Sequence, residues 1–425
     1  MYRTIISGDF TDKEVRQFKA ARNKGKLYKR IKAHELLSLI PDELLNGIVQ
    51  SLKADKWTKK LSAQSFFKLL VFSIFDKDVL SLRTIADELR NPALQAYIGG
   101  KKLVEVSHMG IRHRMEHIDK DFFGRIFEHL YKKTSENYSE QVLEKEYAVK
   151  RYDSTMVPVF AHHLSGMRVG NTSKNKTQMK FTTEFCRDML PKMLFFKDQA
   201  HLSEETALSE IVLAQTHGKN EICVIDAGLK SRETFARLVG EKIKFICRLS
   251  KNPKHKTVGA YKHKLTADTE ELELIHDKIV KLYTSGATQP LDTTLRLIEY
   301  RIKKNGEILS LVTNVLELPA QTVAAYYRKR WDIEVFFRFV KQELDFEHFV
   351  SYDENAIMIQ IYMKLIVAML ILIYKKQNTV KSYQTAKSQF FNELLFTLIA
   401  DILQDEEATE WFKNIIYANF VSKNQ

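Results

Sequence analysis

Cysteine is almost missing from this chain: Cys186, Cys223 and Cys247 are the only three in 425 residues. Each sits in an apolar, strand-like run, and none has metal-binding spacing. That favours packing thiols in a reducing cytoplasm over disulfides or a zinc site. Seven prolines and fifteen glycines are too few for long flexible linkers. No uninterrupted apolar stretch reaches the roughly 20 residues that cross a bilayer. The nearest, Leu365 to Tyr374, follows Lys364 and reads as a buried helix. The opening MYRTIISGDFTDKE is too charged for a secretory signal. No membrane partner is expected. The adjacent His162 and His163 lack ligand spacing and read as loop or surface residues.

Positive charge, by contrast, is in excess. A formal net charge of +13 and a pI near 9.3 suit a protein that approaches a polyanion. Residues 1 to 30 hold nine Lys or Arg against three Asp or Glu. Lys174, Lys176 and Lys180 form a second cluster, and Lys251, Lys254, Lys256, Lys262 and Lys264, with His255 and His263, a third. Each is a solvated surface run or a DNA-tracking face.

The segment YRKRWDIEVFFRFVK places Tyr327, Arg330, Glu334 and Lys341 at spacings of three, four and seven. At about 100° per residue they fall within a sector of roughly 60° on one helix face. Trp331, Ile333, Val335, Phe336, Phe337, Phe339, Val340 and Leu344 fill the other directions. Taken alone, Arg330 and Glu334 make an i,i+4 pair of the kind that is ordinarily a weak surface salt bridge. Four aligned polar groups inside an apolar helix point instead to a site, because such groups are costly to bury without partners.

Two further acids stand at strand-like positions. Asp153 lies in VKRYDSTMVPVF and Asp226 closes EICVIDAG. Strand ends followed by a turn are where α/β folds present functional groups. Either acid alone is as readily structural as catalytic. Together with Glu334 they make an all-oxygen set suited to Mg²⁺ or Mn²⁺. Two such ions, about 4 Å apart, would activate water and stabilise a leaving 3′-oxygen in phosphoryl transfer.

With those residues the chain resembles bacterial insertion-sequence transposases of the DDE type, in the branch carrying a Tyr-x2-Arg-x3-Glu-x6-Lys signature, matched here without a gap. The resemblance covers roughly residues 145 to 350. It implies Asp153, Asp226 and Glu334 as the catalytic, metal-holding acids, with two Mg²⁺ or Mn²⁺ ions. It implies that Tyr327, Arg330 and Lys341 bind DNA phosphates near the cleaved end. The partners it implies are double-stranded DNA, as terminal inverted repeats and target, and a second copy of the chain in the synapse. Its implied place is the bacterial cytoplasm, on the nucleoid. Two rivals stay open: a DNA-binding regulator without activity, and a ribonuclease-H-like nuclease that cleaves without strand transfer.

The fold expected is α/β, a ribonuclease-H-like mixed sheet flanked by helices, with a β-rich insertion and helical N-terminal and C-terminal regions. Residues 1–144 read as a helical DNA-binding domain. SLRTIADELRNPALQAYIGGKKLVEVSHMGIRHRMEHI is compatible with a helix-turn-helix-like reader or with a plain bundle bearing a basic face. Residues 145–350 read as the catalytic domain, with strands VKRYDSTMV, KFTTEFC and PKMLFFK, a helix SEETALSEIVLAQTH, the strand EICVIDAG, a helix SRETFARLVG and a strand IKFICRLS. More than a hundred positions separate Asp226 from Glu334, so residues 251–318 are expected to form a β-rich subdomain. In the resembled family such a region carries an aromatic residue that stacks on a flipped base. Trp57, Trp331 and Trp411 all lie outside it, which leaves Tyr261, Tyr283 or Tyr300. Residues 351–425 read as helices for core packing or dimerisation, the first opening on a Ser351-to-Glu354 capping-box spacing.

Overall fold

A computed structural model of the chain describes residues 30–77, 79–98, 105–138, 147–159, 167–168, 177–185, 191–196, 203–215, 217–249, 253–261, 269–346, 348–404 and 410. Residues 1–29, Gly99, Gly100, His162, His163, Lys174, Lys176, Cys186, Lys251, Lys262, His263, Lys264 and Trp411 lie outside them.

Seven helices come first among the described residues: α1 (Ala33–Leu37), α2 (Asp42–Leu52), α3 (Ala63–Asp76), α4 (Leu82–Glu88), α5 (Pro92–Ile98), α6 (His108–His117) and α7 (Asp121–Tyr138). An alternating stretch follows, with β1 (Ala148–Val159), β2 (Met167–Arg168), β3 (Thr177–Phe185), β4 (Pro191–Phe196), α8 (Glu204–Ala214), β5 (Glu221–Ile225), α9 (Arg232–Gly240) and β6 (Phe245–Arg248). Four strands succeed it, β7 (His255–Ala260), β8 (Leu272–Leu282), β9 (Thr294–Ile302) and β10 (Ile308–Thr313). Four helices follow among the described residues, α10 (Ala320–Arg328), α11 (Trp331–Glu343), α12 (Glu354–Gln377) and α13 (Tyr383–Gln404). Two compact units result: Tyr138–Arg338, and Met1–Asn137 with Phe339–Gln425, the division falling inside α11.

In the Tyr138–Arg338 unit, β1, β3 and β4 pair antiparallel in succession, and β5 and β6 then add in parallel on the other side of β1. The resulting order β4-β3-β1-β5-β6 is the ribonuclease-H-like arrangement. The β-rich segment is not a sheet of its own. Its last strand, β10, pairs antiparallel with β6, so β9, β8 and β7 extend one 10-stranded sheet. Strand alternation sorts side chains between two faces. Tyr152, Cys223, Ile225 and Cys247 point to one core with Leu208 and Ile211 of α8 and Phe235 and Leu238 of α9. Val149, Ile222, Val224 and Ile246 point to the other, covered by Val323, Ala324, Tyr326 and Tyr327 of α10. Cys223 and Cys247 are buried in the sheet. Tyr300 is fully buried in the second core, so it presents no face to a flipped base. Tyr261 lies on the Arg296 guanidinium, 3.4 Å from the ring centroid, and Tyr283 lies under Lys254 at 4.7 Å.

The helical unit is built around α12. By length and composition this helix could cross a membrane, yet 94% of its most apolar window is buried inside the protein. It packs against α1, α3, α6 and α13. Its amino end is capped by Asp353, which accepts from the Ala356 amide at 2.9 Å, while Ser351 shapes the preceding turn by accepting from the Asp353 amide. The cap is therefore Asp353, not Ser351: the shorter Asx geometry from the adjacent residue reaches the orphan amide first. Asn355 donates to the carbonyls of Met115 and Ile118, tying the end of α6 to α12.

One charge interrupts that core. Lys364 is fully buried, its ammonium donating to the carbonyls of Asp345 at 2.5 Å and His348 at 2.8 Å. Burial pushes its pKa down to about 8, with Asp345 opposing the shift. Between that value and its ordinary 10.5, the unfolded chain holds a proton that the folded chain has released. Stability therefore rises with pH across this window, by up to roughly 1.4 kcal/mol per pH unit. Urea denaturation at pH 7.5 and 9.5 should show wild type gaining on Lys364→Met; a flat difference would mean that the folded ammonium titrates normally.

Candidate active site

Strand register brings the first two acids together. In the parallel pairing of β1 with β5, Tyr152 stands opposite Ile225, so Asp153 and Asp226 follow at neighbouring strand positions on the same face. It is the face covered by α10, whose last turn carries Tyr327. The Tyr327 hydroxyl donates to Asp226 Oδ1 at 3.0 Å. Burial, and then the Asp226 charge, raise its pKa, so it stays a phenol and a donor.

Residues 327 to 341 do not form the single continuous helix that their spacing predicts. Helix α10 ends at Arg328 and α11 begins at Trp331. Between them the Arg330 amide bonds to the Tyr327 carbonyl at 3.0 Å and the Ile333 amide to the Arg330 carbonyl at 3.0 Å. These are i→i−3 bonds, a local tightening of the 3₁₀ kind often found at functional hinges. Nothing in the helix propensities of Lys329 and Arg330 demands the break. What accompanies it is the set of partners that Arg330 reaches.

Arg330 is 7% exposed. Its Nη1 lies 3.2 Å from Asp153 Oδ2 and 3.6 Å from Asp226 Oδ2, and its Nη2 pairs with Glu334 Oε1. Burial by itself would lower its pKa; with Tyr327 a neutral phenol, the carboxylates of Asp226, Asp153 and Glu334 overcome that and raise it, so the guanidinium is a permanent cation. Three acids separated by up to 181 positions of sequence thus meet at one side chain. Asp153 is buried, whereas the Glu334 side chain keeps 30% of its exposure. Lys341 lies two turns beyond Glu334 on α11, in the part of the chain assigned to the helical unit.

The donor chemistry suits a hard divalent cation: the three groups are carboxylates, with no sulfur or imidazole among them. They are gathered on a guanidinium, however, and among the described residues no three His, Cys, Asp or Glu side chains form a ready cation cage. Asp153, Asp226 and Glu334 already hold one positive group in common, so their oxygens face a shared point as ligands of a divalent ion would.

Sequence reasoning missed a second bridge beside the first. Arg151, buried two residues before Asp153 on the same strand face, donates to Asp332 Oδ2 at 2.8 Å and to the Lys329 carbonyl at 3.4 Å. It ties β1 to the first turn of α11, the two elements that carry Asp153 and Glu334. The available signal was the alternation Arg151, Asp153, which puts a cation and an acid on one side of a strand. Arg248, at the end of β6, also stands near enough for its charge to act on Tyr327.

Residues 152–370 match the sequence profile described as "Transposase DDE domain". A protein of Sinorhizobium fredii named as a transposase, y4zB, is 28% identical over 157 residues, 37% of this chain and 43% of that protein. A Geobacillus stearothermophilus protein named as a transposase of the insertion sequence element IS5377 is 37% identical over 93 residues, 21% of this chain and 25% of the relative. The matched stretches thus span less than half the length of these relatives. The piggyBac transposase in a synaptic complex with hairpin DNA aligns over 92% of this chain and 86% of its own at 11% identity, with a TM-score of 0.48. The profile begins one residue before Asp153 and runs through Asp226, Arg330 and Glu334, so the stretch that builds this cluster is the stretch by which the chain belongs to the DDE transposase family.

Proposed function

We propose that this protein is a cut-and-paste DNA transposase: it binds terminal inverted repeats, cleaves DNA at the element ends and joins the freed 3′-hydroxyl to target DNA. The observation that carries the reading is the meeting of Asp153, Asp226 and Glu334 at Arg330. In it the three acids are the catalytic residues and would hold two Mg²⁺ or Mn²⁺ ions. Bound there, such ions supply activation of a water or hydroxyl nucleophile and stabilisation of the leaving oxygen.

The chain's own groups do the rest. Asp153 and Asp226, fixed by strand register, define one side of the site, and Glu334 closes it from α11. Arg330, already a buried cation, exchanges carboxylate partners for a phosphate of the DNA end, for which its planar fork is suited. Tyr327 donates its hydroxyl to the same strand, and Lys341 adds a point charge farther along it. Residues 1–144 act as the helical DNA-binding domain, 145–350 as the catalytic domain with its 251–318 insertion, and 351–425 as a packing and dimer region. A homodimer brings two ends together on the nucleoid.

The test is a duplex carrying the DNA that borders the gene, incubated with the protein and Mg²⁺. Strand-transfer products with target DNA are expected, and none without a divalent ion. Cleavage without joining would make it a nuclease, and binding without cleavage a regulator.

A further inference from the structure

The loop between α2 and α3 reads Lys53-Ala54-Asp55-Lys56-Trp57-Thr58-Lys59-Lys60. Trp57 is 87% exposed, the highest value among the large apolar side chains described. Its backbone φ is +74°, and that of Lys53 is +52°. A bulky side chain in left-handed backbone is strained, and in solvent it gains no burial to offset the strain; glycine or asparagine would serve a plain turn better. Strain of this kind persists where the surroundings over-determine it, and it concentrates at functional positions.

The surroundings here are specific. Arg114 of α6, its side chain 12% exposed, donates to the Ala54 carbonyl at 3.1 Å and to Thr58 Oγ1 at 2.7 Å, and it pairs with Asp55. Asp55 also accepts from the Ala63 amide at 2.7 Å. The loop's one carboxylate is thus consumed inward, and the loop is fixed from beneath. Outward it shows Lys53, Lys56, Lys59 and Lys60, all exposed, with the Lys56 ammonium 5.2 Å from the indole centroid. Arg114, which a sequence reading offers as part of a DNA-reading helix, is spent on holding this loop, and Arg112 pairs with Glu116 on its own helix.

We infer that this loop is a duplex-DNA contact, in which Trp57 packs against a deoxyribose or an unstacked base at the duplex end while the four lysines take the flanking phosphates. A protein pocket fits poorly, since lysine is depleted from interface cores. An aromatic plane among cations is the chemistry of a nucleic-acid platform. The inference rests on the transposase reading and names the surface by which the helical unit grips the ends.

Full-length protein is titrated in EDTA onto a labelled duplex carrying the DNA that borders the gene, at several salt concentrations. Trp57→Ala should weaken binding about five- to fiftyfold and Trp57→Phe should recover most of it. Changing Lys56, Lys59 and Lys60 together to Gln should lower the salt slope by roughly 2 to 3. Trp57→Gly should lose affinity like Trp57→Ala yet raise the melting temperature, because glycine accepts the positive φ. Wild-type affinity in Trp57→Ala, beside tight wild-type binding, overturns this inference and leaves the transposase reading standing. An unchanged affinity together with a loss of oligomeric mass without DNA reassigns the loop to a protein contact. No duplex binding by wild type would remove both.

Discussion

Glu334→Gln is expected to lower cleavage of an end-bearing duplex at least a hundredfold while leaving binding of that duplex largely intact. Loss of a mere outer-shell partner at a metal site costs about 10- to 100-fold, and a ligand itself should cost no less. Glutamine keeps the size and can still accept from Arg330, so the change removes charge and little else. Its effect on folding should be small. The Glu334 side chain keeps 30% of its exposure, and a screened pair of that kind is worth less than about 1 kcal/mol. Chemistry and stability should therefore separate, with single-turnover cleavage lost and the urea midpoint nearly unmoved. Normal cleavage per bound complex would return Glu334 to the role of a salt-bridge partner and take the three-acid reading with it.

Much of this site is written locally. Asp153 and Asp226 announce themselves as acids in strand-like runs, because apolar alternation and a closing glycine are short-range signals. Glu334 is offered by helical spacing, and it still meets Arg330 although the helix is broken, since one tightened turn rotates the following residues by only a fraction of a turn. The break itself was invisible. Lys329 and Arg330 are good helix formers, and the groups that hold Arg330 in place lie 177 and 104 positions upstream. The join of β10 to β6 was invisible for a similar reason: strand pairing is decided by partners far away in sequence. The Arg151–Asp332 bridge and the Arg114 anchor under Trp57 are likewise non-local ion pairs. Trp57 was legible as a residue type, but neither its exposure nor its backbone sign could be read from composition.

Arg330→Ala should be the more disruptive change for the fold. If Arg330 and Glu334 formed an ordinary surface pair, the cost would be about 0 to 1 kcal/mol. Arg330 is instead 7% exposed and shared by three acids. Removing it takes a shared cation away from Asp153, whose side chain is 11% exposed, and from Asp226. Breaking a buried pair by removing one member costs about 3 to 5 kcal/mol. Urea denaturation in EDTA should show that loss, and Arg330→Lys, which restores charge but not the fork, should fall between. Divalent ions give the discriminating arm. A ligand that binds only the folded state stabilises by about 2.7 kcal/mol at a hundred times its Kd. With the guanidinium gone, Mn²⁺ no longer competes with it for the carboxylates, so Mn²⁺ should stabilise Arg330→Ala more than wild type. Adding Asp153→Asn to the variant should erase that gain. Arg330→Ala by itself should also weaken the grip on the DNA end by about 1.5 to 3 kcal/mol, the worth of a charged contact. A small folding cost, with Mn²⁺ treating variant and wild type alike, would show that the acids meet at Arg330 for structure alone and hold no cation.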